Sequence, residues 1–183
     1  MRDSLKVKGA VTVTVFDQYG MIKRKQPGIV GRILNLPGQL MQCRHHNTIT
    51  FEGDALMAEL LLQNPSRPKV LAGSGFIQIG TGWLGDNPKG TFRCIAPEGE
   101  MRTIDTGFPT LKGAWGEEGA NTVIYRATFP AGSLKANGIN EACLLNGEDE
   151  TAASFAYAEL TPTVNMTELD TLQVWWEITV TGK

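Results

Sequence analysis

Asn121-Thr-Val-Ile-Tyr-Arg-Ala-Thr-Phe129, Gly138-Ile-Asn-Glu-Ala-Cys-Leu-Leu145, Ala153-Ser-Phe-Ala-Tyr-Ala-Glu-Leu160 and Thr171-Leu-Gln-Val-Trp-Trp-Glu-Ile-Thr-Val-Thr181 follow one another with little but turns between them. Each run is rich in β-branched and aromatic residues and bounded by Gly, Pro, Asn or Asp, as strands and their turns require. Four such runs in succession predict a mainly β protein, an antiparallel β-sandwich of jelly-roll or immunoglobulin-like type, rather than an alternating α/β enzyme. Side-chain alternation sends Trp175 and Trp176 to opposite faces of the last strand. One ring is expected in the core, the other under a loop or at a subunit contact.

Working outward, 183 residues make one domain the default, with core enough to fold without disulfides or metals. A net charge of −2 gives no basic field for nucleic acid. No window approaches the roughly 20 consecutive apolar residues of a membrane span. The amino terminus lacks the apolar core of a secretion signal. Cys43, Cys94 and Cys143 are odd in number and widely spaced, which fits reduced thiols rather than a disulfide framework.

Toward the amino terminus, Ala10–Phe16 alternates as a strand, Asp17–Gly20 signals a turn, and Met21–Lys25 returns as the second arm of a hairpin. From Gln26 to Gln42, Pro27, Gly28, Gly31, Pro37 and Gly38 argue against helix and long strand alike. This segment reads as an extended arm carrying Ile29, Val30, Ile33, Leu34 and Leu36, either laid over its own domain or donated to a neighbour; a long surface loop is the alternative. One short helix is expected near residues 54–63, capped by Asp54 and stopped by Asn64-Pro65. Strands are expected before it at Thr48–Phe51 and after it at Phe76–Ile79, and residues 83–119 read as an insertion. The organisation expected is an amino-terminal hairpin and arm over 1–46, then a sandwich domain over 47–183.

Chemistry-bearing residues are sparse. Cys43, His45 and His46 lie within four positions, but no second cluster completes a zinc site, and a polar loop is the plainer reading. With two histidines in the chain and no Gly-x-Ser-x-Gly, nucleophilic catalysis has no framework. Gly73-Ser-Gly75 precedes its strand rather than following one, so it does not make a phosphate loop. Glu148-Asp-Glu150 fits a solvated turn. No catalytic residue, cofactor or metal is expected.

Five stretches, in order, resemble the amino-terminal particle-binding domain of tail-collar fibre proteins of tailed-bacteriophage virions. They are the glycine-led helix Gly53–Leu62, the strand Phe76-Ile-Gln-Ile-Gly-Thr-Gly82, Asn121-Thr-Val through Phe129-Pro130, Ile139-Asn-Glu-Ala-Cys-Leu144, and the pair from Ala158-Glu-Leu-Thr-Pro162 through Leu172-Gln-Val-Trp-Trp176. The match spans roughly residues 47 to 181; the stretch from Trp83 to Gly119 is longer than its counterpart, and the sequence ends at Lys183 without the shaft of a fibre. The resemblance implies a non-enzymatic structural protein on the outside of a tailed-phage virion, made in the host cytoplasm. Capsid decoration is favoured over a collar, neck or tail-fibre adaptor, and a carbohydrate-binding module is the more remote alternative. The implied partners are the major capsid protein or neck and tail proteins, and copies of the chain itself, with no nucleic acid or membrane. Ile29, Val30, Ile33, Leu34, Leu36, Trp83, Leu84, Phe108 and Trp115, apolar residues set among glycines and prolines, are the expected interface.

Overall fold

In the computed structural model, residues 5–62, 66–83, 85 and 88–182 are described. The protein is mainly β and antiparallel, as the sequence predicts, and the described residues include nine strands in one hydrogen-bonded, curled sheet. They are β1 (Leu5–Phe16), β2 (Gln42–Ile49), β3 (Phe76–Gly80), β4 (Arg102–Thr103), β5 (Thr110–Leu111), β6 (Thr122–Phe129), β7 (Ala136–Leu145), β8 (Ser154–Met166) and β9 (Thr171–Gly182). Their order is β4-β3-β7-β8-β2-β1-β9-β6-β5.

All four carboxy-terminal runs are strands, but they form two separated pairs, β7–β8 and β9–β6. Between them sit β1 and β2. β1 pairs along its whole length with β9 and through Gly9–Thr14 with β2. Its Val11, Val13 and Val15 are fully buried. The hairpin partner expected at Met21–Lys25 meets the strand at its end, through the Phe16–Ile22 bridge and the Lys23 N–H, which donates to Val15 O at 2.8 Å. A strand with three inward valines is better satisfied between two long neighbours than at an edge.

β8 extends past the expected end at Leu160 to Met166, through Pro162. Proline is tolerated there because the β7–β8 register breaks between Ile139 and Glu141, leaving no ladder bond to lose.

The core lies inside the curl, where Phe129, Ile139, Leu144, Leu160, Leu172, Val174 and Trp176 meet the β1 valines. β7 is buried on both faces: Ala142 and Leu144 point to this core, Cys143 and Leu145 to a smaller cluster with Cys94 and Tyr157. The unbroken apolar run Ala142–Leu145 is the sequence counterpart of that double burial.

Among the described residues two α-helices accompany the sheet: α1 (Ile29–Ile33) and α2 (Phe51–Glu59). α2 begins three residues before the expected Asp54. Its cap is Thr50, whose hydroxyl accepts from Gly53 N–H at 2.9 Å and donates to the Ser154 carbonyl. Phe51, expected to end a strand, is the first helical residue. A Cβ on Gly53 would stand 2.0 Å from the Phe155 carbonyl oxygen, so glycine lets α2 lie against β8. The predicted stop at Asn64-Pro65 lies outside the described residues.

Candidate interaction surface

The connection between β1 and β2 is a built arm. Past the bridge at Ile22, Lys25 N–H donates to Gln39 O at 2.8 Å, Met41 N–H to Lys23 O at 2.7 Å, and Arg24 bridges Leu40. These contacts make a narrow ribbon. A Cβ at Gly38 would fall 1.9 Å from the Lys25 carbonyl oxygen, so the two sides approach this closely only with glycine there. At its base, Lys23 N–H donates to Val15 O at 2.8 Å, and its ammonium pairs with the buried Asp170 carboxylate. Asp170 also accepts from Thr167 N–H at 2.6 Å and from the Thr167 hydroxyl at 2.7 Å. Burial pushes its carboxyl up, but the Lys23 and Thr167 hydrogen bonds outweigh it and hold the pKa below the ordinary value.

The arm's tip is α1, in a segment whose prolines and glycines argued against any helix. Pro27 stands outside its start and Pro37 beyond its end, so neither removes an internal bond. Asn35 adopts the left-handed conformation (φ 51°). Leu36 N–H then returns to Gly31 O at 2.8 Å and Asn35 N–H to Arg32 O at 3.2 Å, the paired bonds of a Schellman stop. Arg32 ties the turn to its base, donating from Nε to Pro27 O at 3.1 Å and from Nη2 to Gln26 Oε1 at 2.8 Å.

This turn buries nothing. Ile29, Val30, Ile33 and Leu34 are 78, 68, 76 and 62% exposed, and Leu36 is 54% exposed. Four of them span an arc of about 140° at 3.6 residues per turn, so they form one aliphatic face. Scattered surface leucines need no explanation, but contiguous apolar patches mark contact sites. The arm presents its patch on a hydrogen-bonded frame, so little ordering cost remains on binding.

The other expected interface residues divide. Trp115 is 93% exposed. Trp83 is half-buried against Tyr157, with ring centroids 5.1 Å apart. Phe108 meets Trp175 edge-on at 5.4 Å and lies under the Arg126 guanidinium at 4.5 Å. The packing surface expected from a neighbour is, for these two rings, supplied by the domain itself. Trp176 is in the core and Trp175 lies beneath the 83–119 segment. Leu84 lies outside the described residues.

Residues 83–119 are stitched to the sheet by a residue the sequence reading gave no role. Glu141 of β7 is completely buried. Its Oε1 accepts from Gly82 and Ala96 N–H, both at 2.9 Å. Its Oε2 accepts from Ile95 N–H at 3.0 Å and from the Tyr157 hydroxyl. Burial and this carboxylate neighbour push the Tyr157 phenol well above its usual range. One acid inside the apolar strand Ile139–Leu145 was the available signal.

His45 and His46 are not in a loop: both lie in β2, opposite Val11 and Ala10. Among the described residues no three His, Cys, Asp or Glu side chains gather to hold a metal. The three cysteines are buried and free, and burial pushes the Cys43 thiol up to about 11. In the acidic turn, Asp149 accepts from Thr151 N–H at 2.8 Å and from its hydroxyl at 2.6 Å, a self-satisfied cap. No described helix is long and apolar enough to cross a membrane. Compared with family models, with curated proteins and with solved structures, the chain matches none.

Proposed function

We propose that the chain is a non-enzymatic structural protein of the outer surface of a tailed-phage virion, with capsid decoration favoured over a collar, neck or tail-fibre adaptor. The observation that carries the reading is the arm: a hydrogen-bonded ribbon ending in a helical turn, in and beside which five aliphatic side chains are each more than half exposed. A rigid β domain that holds out a preformed apolar knob is suited to gripping an adjacent subunit. Repetition of one modest contact around a symmetric shell multiplies its strength. The virion context of this proposal comes from the resemblance of five short stretches to collar-fibre domains. The partners proposed are the major capsid protein, or neck and tail proteins, together with copies of the chain.

The test is a chain in which residues 27–38 are replaced by a two-residue turn. This keeps Lys23 and Met41, which the base of the arm needs. The shortened protein is expected to fold and to be lost from particles assembled in its presence. Incorporation equal to that of the full chain would contradict the proposal.

A further inference from the structure

We propose that Cys94 and Cys143 are a latent disulfide, and that oxidation of the pair by a peroxide staples the 83–119 segment to β7. The pair lies in the body of the domain, so its chemistry is independent of what the arm grips.

The sheet brings the two thiols together. In the β3–β7 ladder Gln78 stands directly opposite Cys143, and residues so paired send their side chains to the same face. Cys94 is laid over that rung by two contacts with Gln78. Its N–H donates to Gln78 Oε1 at 3.0 Å, and its thiol donates to the Gln78 carbonyl at 3.4 Å. Cys94 and Cys143 thus share one buried cluster with Leu145 and Tyr157. Burial pushes the Cys94 thiol well up, and the Cys143 thiol is near enough to push it further. Cys43 is apart from both, in β2 opposite Val13 and in the larger core.

The attachment that closes the pair is the one a disulfide would lock. Glu141, two positions before Cys143, lies on the same face of β7. It accepts from the N–H groups of Ile95 and Ala96, the residues that follow Cys94. Phe76, Trp83 and Met101 pack around the cluster. While the segment is down, both thiols are shielded, and a thiol with a raised pKa holds little of the reactive thiolate. Bonding requires the sulfurs to draw together to about 2.05 Å. Cys143 is fixed in a strand, whereas Cys94 lies in irregular backbone, so the adjustment falls on the Cys94 side.

Lifting of the segment carries Cys94 toward water, where hydrogen peroxide meets it. The Cys94 thiolate attacks one peroxide oxygen: an S–O bond forms, the O–O bond breaks, and the sulfur becomes a sulfenic acid. The hydroxide that leaves takes up the proton the thiol gave up and departs as water. When the segment closes, the Cys143 sulfur attacks the Cys94 sulfur. The S–S bond forms, the S–O bond breaks, and the oxygen leaves with the Cys143 proton as a second water. Two thiols have then lost two electrons, and one peroxide has been reduced to two waters. The product fixes covalently what the Glu141 hydrogen bonds hold reversibly. Cys43, with neither other cysteine in its cluster, has no thiol to complete the second step.

Hydrogen peroxide added to the folded chain tests this, with the remaining thiols alkylated in denaturant and counted by intact mass. The reduced chain takes three alkyl groups, one for each free cysteine. The oxidised chain should take one, at Cys43, and should be lighter by two hydrogens before alkylation. Peptide mapping should find Cys94 joined to Cys143 within a single chain. Cys94→Ser and Cys143→Ser should each abolish the link, and Cys43→Ser should keep it. Amide exchange at Ile95 and Ala96 should be slower in the oxidised form than in the reduced one. Glu141→Gln should oxidise about tenfold faster or more, because it lowers the cost of opening the segment. Fluorescence of the buried Trp176 checks that this variant is folded; if it is not, the wild type in urea below its unfolding transition takes its place. Cys94 driven on to a sulfinic acid while Cys143 stays alkylatable would overturn the proposal. A link to Cys43 or between chains, unchanged exchange at Ile95 and Ala96, or three free thiols after peroxide treatment of the opened form would overturn it too.

Discussion

Asp105 holds Arg126 twice: its N–H donates to the Arg126 carbonyl at 2.8 Å, and its carboxylate accepts from the Arg126 Nε at 2.7 Å. Asp105 follows β4, at one end of the strand order, and Arg126 lies in β6, one strand from the other end. The pair therefore fastens the two ends of the curled sheet. The same carboxylate accepts from Thr128 N–H at 3.2 Å and from its hydroxyl at 2.8 Å, and the guanidinium lies over Phe108 and within 5.2 Å of the Trp175 ring centre.

Replacing Asp105 by Ala strands a guanidinium, a backbone N–H and a hydroxyl in a half-buried seam. The expected cost is about 2 kcal/mol, the usual penalty for unpartnered polar groups. Urea unfolding measures it. A change under about 0.5 kcal/mol, ordinary for surface sites, would show that the seam is held by packing alone.

Acid should loosen the arm at its base. Asp170 is held below the ordinary carboxylate value, so its stabilisation is fully present above the unfolded value of about 4. As the pH falls below that, the unfolded chain takes the proton first. Stability then declines until the lower folded value is passed, and the Lys23 pair goes with it. Amide exchange at Lys23 and Met41 should accelerate below about pH 4 in the wild type, and at neutral pH in Asp170→Asn. Equal protection of these amides in the variant would remove Asp170 as the anchor.

Glu141→Gln replaces an acceptor of four hydrogen bonds by a group with one oxygen and an NH₂ facing backbone donors. A loss of about 3 kcal/mol is expected, in the range for breaking a buried charged network. Exchange at Gly82, Ile95 and Ala96 should rise most, because those N–H groups lose their partner. Uniform loss across the domain would show that Glu141 acts on global stability rather than on this attachment.

The tip of the arm depends on one backbone conformation. Asn35→Gly should preserve it, since glycine adopts positive φ freely, whereas Asn35→Val should destroy the Schellman stop. Because α1 packs against nothing, the valine variant should melt with the wild type to within about 1 kcal/mol. It should nevertheless lose binding through the arm. A valine variant that binds as well as the parent would mean that the helical turn is dispensable.

The four carboxy-terminal strands were legible because their alternation and turn residues are local. Their neighbours were not, because β1 and β2 intrude between β8 and β9 through contacts far apart in sequence. Apolar residues among glycines announce that something must be covered, not by what: Ile29 to Leu36 stayed in solvent, while Trp83 and Phe108 found Tyr157 and Trp175. α1 was hidden because Pro27 and Pro37 were weighed as breakers inside a segment when they stand as brackets outside a turn. Asn35, two positions before Pro37, was the overlooked stop signal. Glu141 was visible as a lone acid in an apolar strand, but its four donors come from three separate segments.

The virion assignment is tested most directly by counting. On the proposed reading the chain is a constituent of purified particles, and quantitative mass spectrometry should find it there in hundreds of copies for a capsid decoration protein. About a dozen copies would move it to the collar or tail. Its absence from intact particles would contradict the assignment altogether.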